Sequence, residues 1–118
     1  MIEIATVLES TARLIAGSGS RSAEKARALE ELVVALGSVL RARGNRYVMA
    51  NVPRIHLDQV HDVLPGLNGP TIVDILDGDQ MVAVHAVVAA NSIYRTIARL
   101  KALGAEGILV TRIERLMP

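Results

Sequence analysis

The strongest constraint on this chain is the order in which its hydrophobic periodicity changes between residues 46 and 114, which reads strand, helix, strand, strand, helix, strand. Tyr47 to Val52 is a strand pattern ending at Pro53, whose fixed φ suits the first residue of a helix reaching about Leu64. In that helix Leu57, Val60, Val63 and Leu64 recur at helical spacing. Two strands follow, about Thr71 to Leu76 and Met81 to Val88, joined by Asp77-Gly78-Asp79-Gln80, a hairpin signal between apolar runs. A second helix is expected from Asn91 as cap through Leu103, with Ile93, Ile97 and Leu100 inward and Gly104 as terminator. The last strand spans about Gly107 to Ile113. Strand-helix-strand twice over, joined by a hairpin, predicts an α+β fold: a ferredoxin-like βαββαβ sandwich with both helices on one face of a four-stranded antiparallel sheet.

Two helices can cover only one face of such a sheet. The third strand is nonetheless apolar on both sides, with Val82, Val84, Ala86 and Val88 alternating against Met81, Ala83, His85 and Val87. The second face therefore needs a cover, either the N-terminal segment or another copy of the chain. Self-association is expected, because an uncovered sheet would leave an apolar patch in water.

Ahead of this unit, residues 1–45 read as a separate segment. Met1 to Ala16 is rich in Ile, Val, Leu and Thr and suits one or two short strands, and Gly17-Ser18-Gly19-Ser20 then breaks the pattern. From Ser22 to Arg43 the spacing is helical: Leu29, Leu32, Val33, Leu36 and Leu40 share a stripe, with Glu24, Arg27, Glu31 and Ser38 largely off it. Ser20 or Ser22 can cap the start, Glu24 suits the positive end, Arg41 and Arg43 the negative end, and Gly44 lies just beyond. The organisation expected is residues 1–45 as strand segment and connector helix, and residues 46–118 as the sandwich.

Composition narrows the function classes. At 118 residues and 51% apolar, the chain can bury a real core. It has no uncharged apolar run of membrane-spanning length and no secretory leader pattern, which places it in the cytoplasm with no membrane partner. Zero cysteines excludes disulfides and thiolate chemistry. A net charge of +1, with only Tyr47 and Tyr94 as aromatics, supplies neither electrostatic attraction nor a stacking platform for nucleic acid.

The candidate chemistry is that of binding. In Leu64-Pro65-Gly66-Leu67-Asn68-Gly69-Pro70-Thr71, two glycines can take conformations closed to other residues, two prolines fix their own φ, and Thr71 offers a hydroxyl. Such a loop is either a rigid connector or a cradle of backbone N–H groups for a small polar ligand. His56 and His61, five apart, would sit about 140° from each other on a helix and read as surface residues rather than a metal pair. His85, mid-strand on an apolar face, reads as an interface histidine, and Asp74, Asp77 and Asp79 as turn-stabilising carboxylates without calcium-loop spacing. Arg41, Arg43 and Arg46 form the basic cluster, as helix-end charges or as an anion site. No Walker loop, GxGxxG, GxSxG or nucleophile constellation occurs, and no cofactor is expected.

Taken in order, Arg41-Ala42-Arg43-Gly44, the run Tyr47 to Arg54, Leu64-Pro65-Gly66-Leu67, Pro70-Thr71, the run Val82 to Val88 and the run Leu100 to Val110 closely resemble the C-terminal regulatory domain of long-form ATP phosphoribosyltransferase. Val7-Leu8-Glu9-Ser10, Leu14-Ile15-Ala16 and the long helix look like the end of that family's catalytic region and its connector. The resemblance implies a PII-like unit that binds L-histidine between neighbouring subunits and mediates feedback inhibition of the first step of histidine biosynthesis. It implies a trimer or hexamer, and a catalytic region in cis or in trans. Carried over by motif, the histidine site would use Asn51, Leu67, Thr71, Val87 and Gly107. The sequence departs from the family at Gly69, where Ser is usual, and at Met81, where Trp is usual. The family's phosphoribosyl-diphosphate loop is absent from these residues, so the chain is expected not to catalyse the transfer on its own. The alternative is a PII-like trimeric assembly module that has lost histidine binding.

Overall fold

The computed structural model describes residues 2–17, 22–76 and 80–117. The expected hairpin turn at Asp77-Gly78-Asp79 and most of the glycine-serine break lie outside the described residues. Helix α1 covers Ala23–Arg43, with the Ser22 hydroxyl accepting from the Lys25 N–H at 3.3 Å, Glu24 in the first turn and Arg41 and Arg43 in the last. It is followed by strand β1 (Asn45–Pro53), a 3-10 turn (Arg54–His56), helix α2 (Leu57–Val63), strands β2 (Thr71–Asp74) and β3 (Met81–Ala89), a second 3-10 turn (Ala90–Ser92), helix α3 (Ile93–Ala102) and strand β4 (Glu106–Arg112).

The strands form one four-stranded antiparallel sheet in the order β2-β3-β1-β4, the ferredoxin-like arrangement that the sequence predicts. The β1–β3 register pairs Val48 with Ala86, Ala50 with Val84 and Val52 with Val82. All six are buried, and Val60, Val63, Leu64 and Leu100 close the core from the helix side. Small β-branched side chains on both central strands allow the helices to lie close, which is why a core almost without aromatics still excludes water.

Four local readings are corrected. Pro53 ends β1 rather than opening α2, because a 3-10 turn intervenes; the second helix likewise starts after a 3-10 turn, with Ser92 rather than Asn91 at the cap position. Within that second helix, Leu100 and Thr96 are buried while Ile97 is only partly so. The strands expected in the first sixteen residues do not form: residues 2–17 hold no regular structure, and all of them are exposed. An apolar run becomes a strand only by pairing, and the sheet takes no strand from this segment.

The apolar stripe of α1 is also not what faces the domain. Leu36 is 46% and Leu40 66% exposed, while Ser38 and Ala42, small residues on another face, are buried. The Ser38 hydroxyl donates to the Ala35 carbonyl at 2.7 Å, and the C-terminal tail returns to α1, with the Leu116 N–H on the Ser38 carbonyl at 3.0 Å and Arg41 Nε on the Leu116 carbonyl at 3.1 Å. The last turns of α1 are thereby fastened to the sandwich.

Candidate ligand-binding site

The side of the sheet away from α2 and α3 carries Tyr47, Met49 and Asn51 from β1 and Met81, Ala83, His85 and Val87 from β3. The N-terminal segment does not cover it. Ala12, Arg13 and Leu14 instead border a groove beside Val33, Leu36 and Leu40 of α1. This bare, largely apolar face is where the candidate site lies.

The loop between α2 and β2 owes its path to its glycines. Gly66 has φ +57° and Gly69 φ +92°, and the Gly69 N–H closes the turn on the Pro65 carbonyl at 2.8 Å. A Cβ on Gly66 would stand 2.8 Å from the Gly69 carbonyl oxygen, so the position excludes every other residue on two grounds. His61 of α2 packs beneath the loop, its Nε2 within 3.7 Å of where a Gly69 Cβ would be. His56 lies in the 3-10 turn, so the two histidines do not share a helix at all.

The loop forms one wall of an open depression of about 270 Å³. Leu67, Thr71 and Val87, three of the residues expected in the site, line it together. Tyr47 and His85 line it as well, their rings edge-on at 5.7 Å between centroids and the Tyr47 hydroxyl hydrogen-bonded to His85 Nδ1. Register explains the grouping, because Thr71 pairs with His85 and Val87 with Tyr47. Sequence reasoning assigned neither Tyr47 nor His85 to the site. Strand alternation places both on the face of Val87 and was the signal available.

Asn51 and Gly107 sit elsewhere on the same face. Between Met49 and Asn51 the β1–β4 register shifts, Met49 pairing with Leu109 and Asn51 with Glu106, so β4 holds one extra residue. Gly107, at φ +57°, is that bulge. The bulge brings Gly107 against the Asn51 side chain, 3.7 Å separating Asn51 Nδ2 from a Cβ built there. Asn51 is opposite Ala83, four residues from Val87, or about 13 Å along the strand. Within one chain the five residues therefore form two groups, Leu67-Thr71-Val87 and Asn51-Gly107.

The remaining candidates have structural occupations. Arg54 pairs with Asp74 at 2.5 Å, tying the end of β2 to the first 3-10 turn, while Asp77 and Asp79 lie outside the described residues. Arg46 donates to the Arg43 carbonyl at 3.2 Å and the Asn45 carbonyl at 2.7 Å, and with Arg41 on Leu116 two of the three arginines of the basic cluster serve backbone carbonyls. Among the described residues no group of three His, Cys, Asp or Glu side chains could hold a metal ion, and no helix is long and apolar enough to cross a membrane.

These features coincide with a known family. The family described as "HisG, C-terminal domain" matches residues 42–115, from the end of α1 through the turn after β4. Among curated relatives, ATP phosphoribosyltransferase of Gemmatimonas aurantiaca is 63% identical over 98% of this chain and 41% of its own length. ATP phosphoribosyltransferase of Haloarcula marismortui is 50% identical over 94% of the chain and 38% of its own length, and that of Methanothermobacter thermautotrophicus 45% identical over 98% and 40%. The chain thus spans about two fifths of the length of these relatives. With a matching sandwich and a family match over more than half its residues, the chain belongs to the HisG C-terminal domain family and is similar to the C-terminal part of the long-form enzyme.

Proposed function

We propose that this chain is the L-histidine-binding allosteric regulatory domain of an ATP phosphoribosyltransferase, mediating feedback inhibition and oligomer assembly. The observation that carries the reading is the division of the expected site residues on the bare face into two groups about 13 Å apart. A histidine molecule need not span that distance within one chain. It fits a site completed by a second copy, whose Asn51 and Gly107 would approach the first copy's Leu67, Thr71 and Val87. Asn51 would hold the ligand's amino group or imidazole, Thr71 and the loop N–H groups its polar atoms, and Leu67 and Val87 its ring. The same contact buries the apolar face, so ligand binding and assembly as trimer or hexamer would be linked.

In this reading residues 1–45 form the connection to a catalytic region and residues 46–118 the sensor, working in the cytoplasm without a cofactor of its own. The chain itself is non-catalytic, and inhibition passes to catalytic domains in cis or in trans because histidine binds their arrangements differently. Calorimetric titration of the purified chain with L-histidine tests the proposal. Saturable binding is expected, together with growth of the trimer or hexamer population in light scattering. Absence of binding would leave the second reading, a PII-like assembly module that has lost the ligand. Gly69 favours that second reading, since its φ of +92° is a conformation the family's usual Ser would rarely adopt, so the loop follows a glycine-specific path.

A further inference from the structure

A second opening lies where β1 begins and β3 ends, between α3 and the end of α2 with the loop that follows it. It is an open groove of about 430 Å³ with Arg95 and Arg99 on one rim, Asp62 on the other and Val88 in its floor. Arg95 and Arg99 are one turn apart on α3, so their Cβ atoms stand about 5–6 Å apart, and both residues line the same groove. Both are exposed, and among the described residues neither side chain has an ion pair or hydrogen bond. Asp62 borders the groove without pairing to either. Asn45 and Ser92 add polar groups at the sheet end.

Two unpaired cations on neighbouring turns repel one another, and an oxyanion between them removes that cost. A carboxylate carries one charge and matches one guanidinium, whereas the dianion of a phosphate monoester matches both. The lone carboxylate across the groove is the wrong charge for the phosphate but accepts hydrogen bonds from hydroxyl groups. We propose that this groove binds a phosphate monoester of a small sugar, the phosphate between Arg95 and Arg99 and a sugar hydroxyl on Asp62. The groove adjoins the depression on the bare face, but its arginines and Asp62 lie outside that depression, and the proposal does not rest on the histidine reading. The two share Leu67 and Val87 in their linings, so occupancy of one would alter the other.

Ribose 5-phosphate is the probe, titrated by calorimetry into the complete chain at low salt, with ribose and inorganic phosphate in parallel. Saturable binding of ribose 5-phosphate is expected, with weaker binding of inorganic phosphate, none of ribose, and a loss of affinity as salt is raised. Arg95→Gln and Arg99→Gln should each weaken binding about five-fold, and Asp62→Asn should weaken ribose 5-phosphate but not inorganic phosphate. Circular dichroism matching the parent checks that these surface variants fold. No binding of ribose 5-phosphate up to about 10 mM, or binding that survives both arginine changes, overturns the proposal. Equal affinity for inorganic phosphate and the ester overturns the assignment of a sugar to the ligand.

Discussion

At the scale of single residues, backbone conformation and one hydroxyl decide most. Gly66→Ala would force a Cβ into the left-handed region and against the Gly69 carbonyl, so a loss of about 2 kcal/mol in urea unfolding is expected, with histidine affinity falling as the loop shifts. Thr71→Val keeps shape and removes the hydroxyl from the depression. Binding of L-histidine should weaken about five- to thirty-fold while the unfolding midpoint stays near the parent's, and an unchanged affinity would mean that Thr71 only starts β2. The Arg54–Asp74 pair invites overstatement. With side chains 46% and 79% exposed it is worth at most about 1 kcal/mol, and Arg54→Ala should move the urea midpoint only slightly.

Among the elements, the two faces of the sheet behave as opposites. Leu100 is fully buried against the sheet, and Leu100→Ala should cost about 2–5 kcal/mol in the same unfolding experiment, because removing a core side chain leaves a cavity that the helices only partly close. Helix α1 presents a different case. Its leucine stripe is half-exposed and its hold on the domain runs through Ser38, Ala42 and the returning tail. Its small-residue face is docked while its apolar face is open to a further partner.

For the molecule as a whole, the bare face predicts association. Ala83→Asp places a charge at its centre without touching the core, so light scattering should show a smaller species than the parent at tens of micromolar, with the sandwich still folded by circular dichroism. A parent that is monomeric at that concentration would sink the assembly reading. Supplied with ATP and phosphoribosyl diphosphate, the isolated chain should yield no product. Added with histidine to a cognate catalytic core lacking its own regulatory domain, it should restore feedback inhibition, since effector and catalytic states are then linked through one assembly.

Element order, the glycine loop and the need to cover a second apolar face were legible in the sequence, because each depends on spacing between near neighbours. Other features depended on which distant residues meet. The bulge that sets Gly107 beside Asn51, the pairing of Tyr47 with His85 and the burial of Ser38 rather than the leucine stripe all follow from register and docking, which local periodicity does not encode. The N-terminal strands failed for the same reason, since an apolar run has strand propensity by itself but becomes a strand only beside a partner. The sequence by itself determined the order of elements in the sandwich; the tertiary structure alone decided how the expected site residues divide into two groups along the sheet, because the register of β1 on β3 and the rise of a strand set Asn51 four residues, about 13 Å, from Val87.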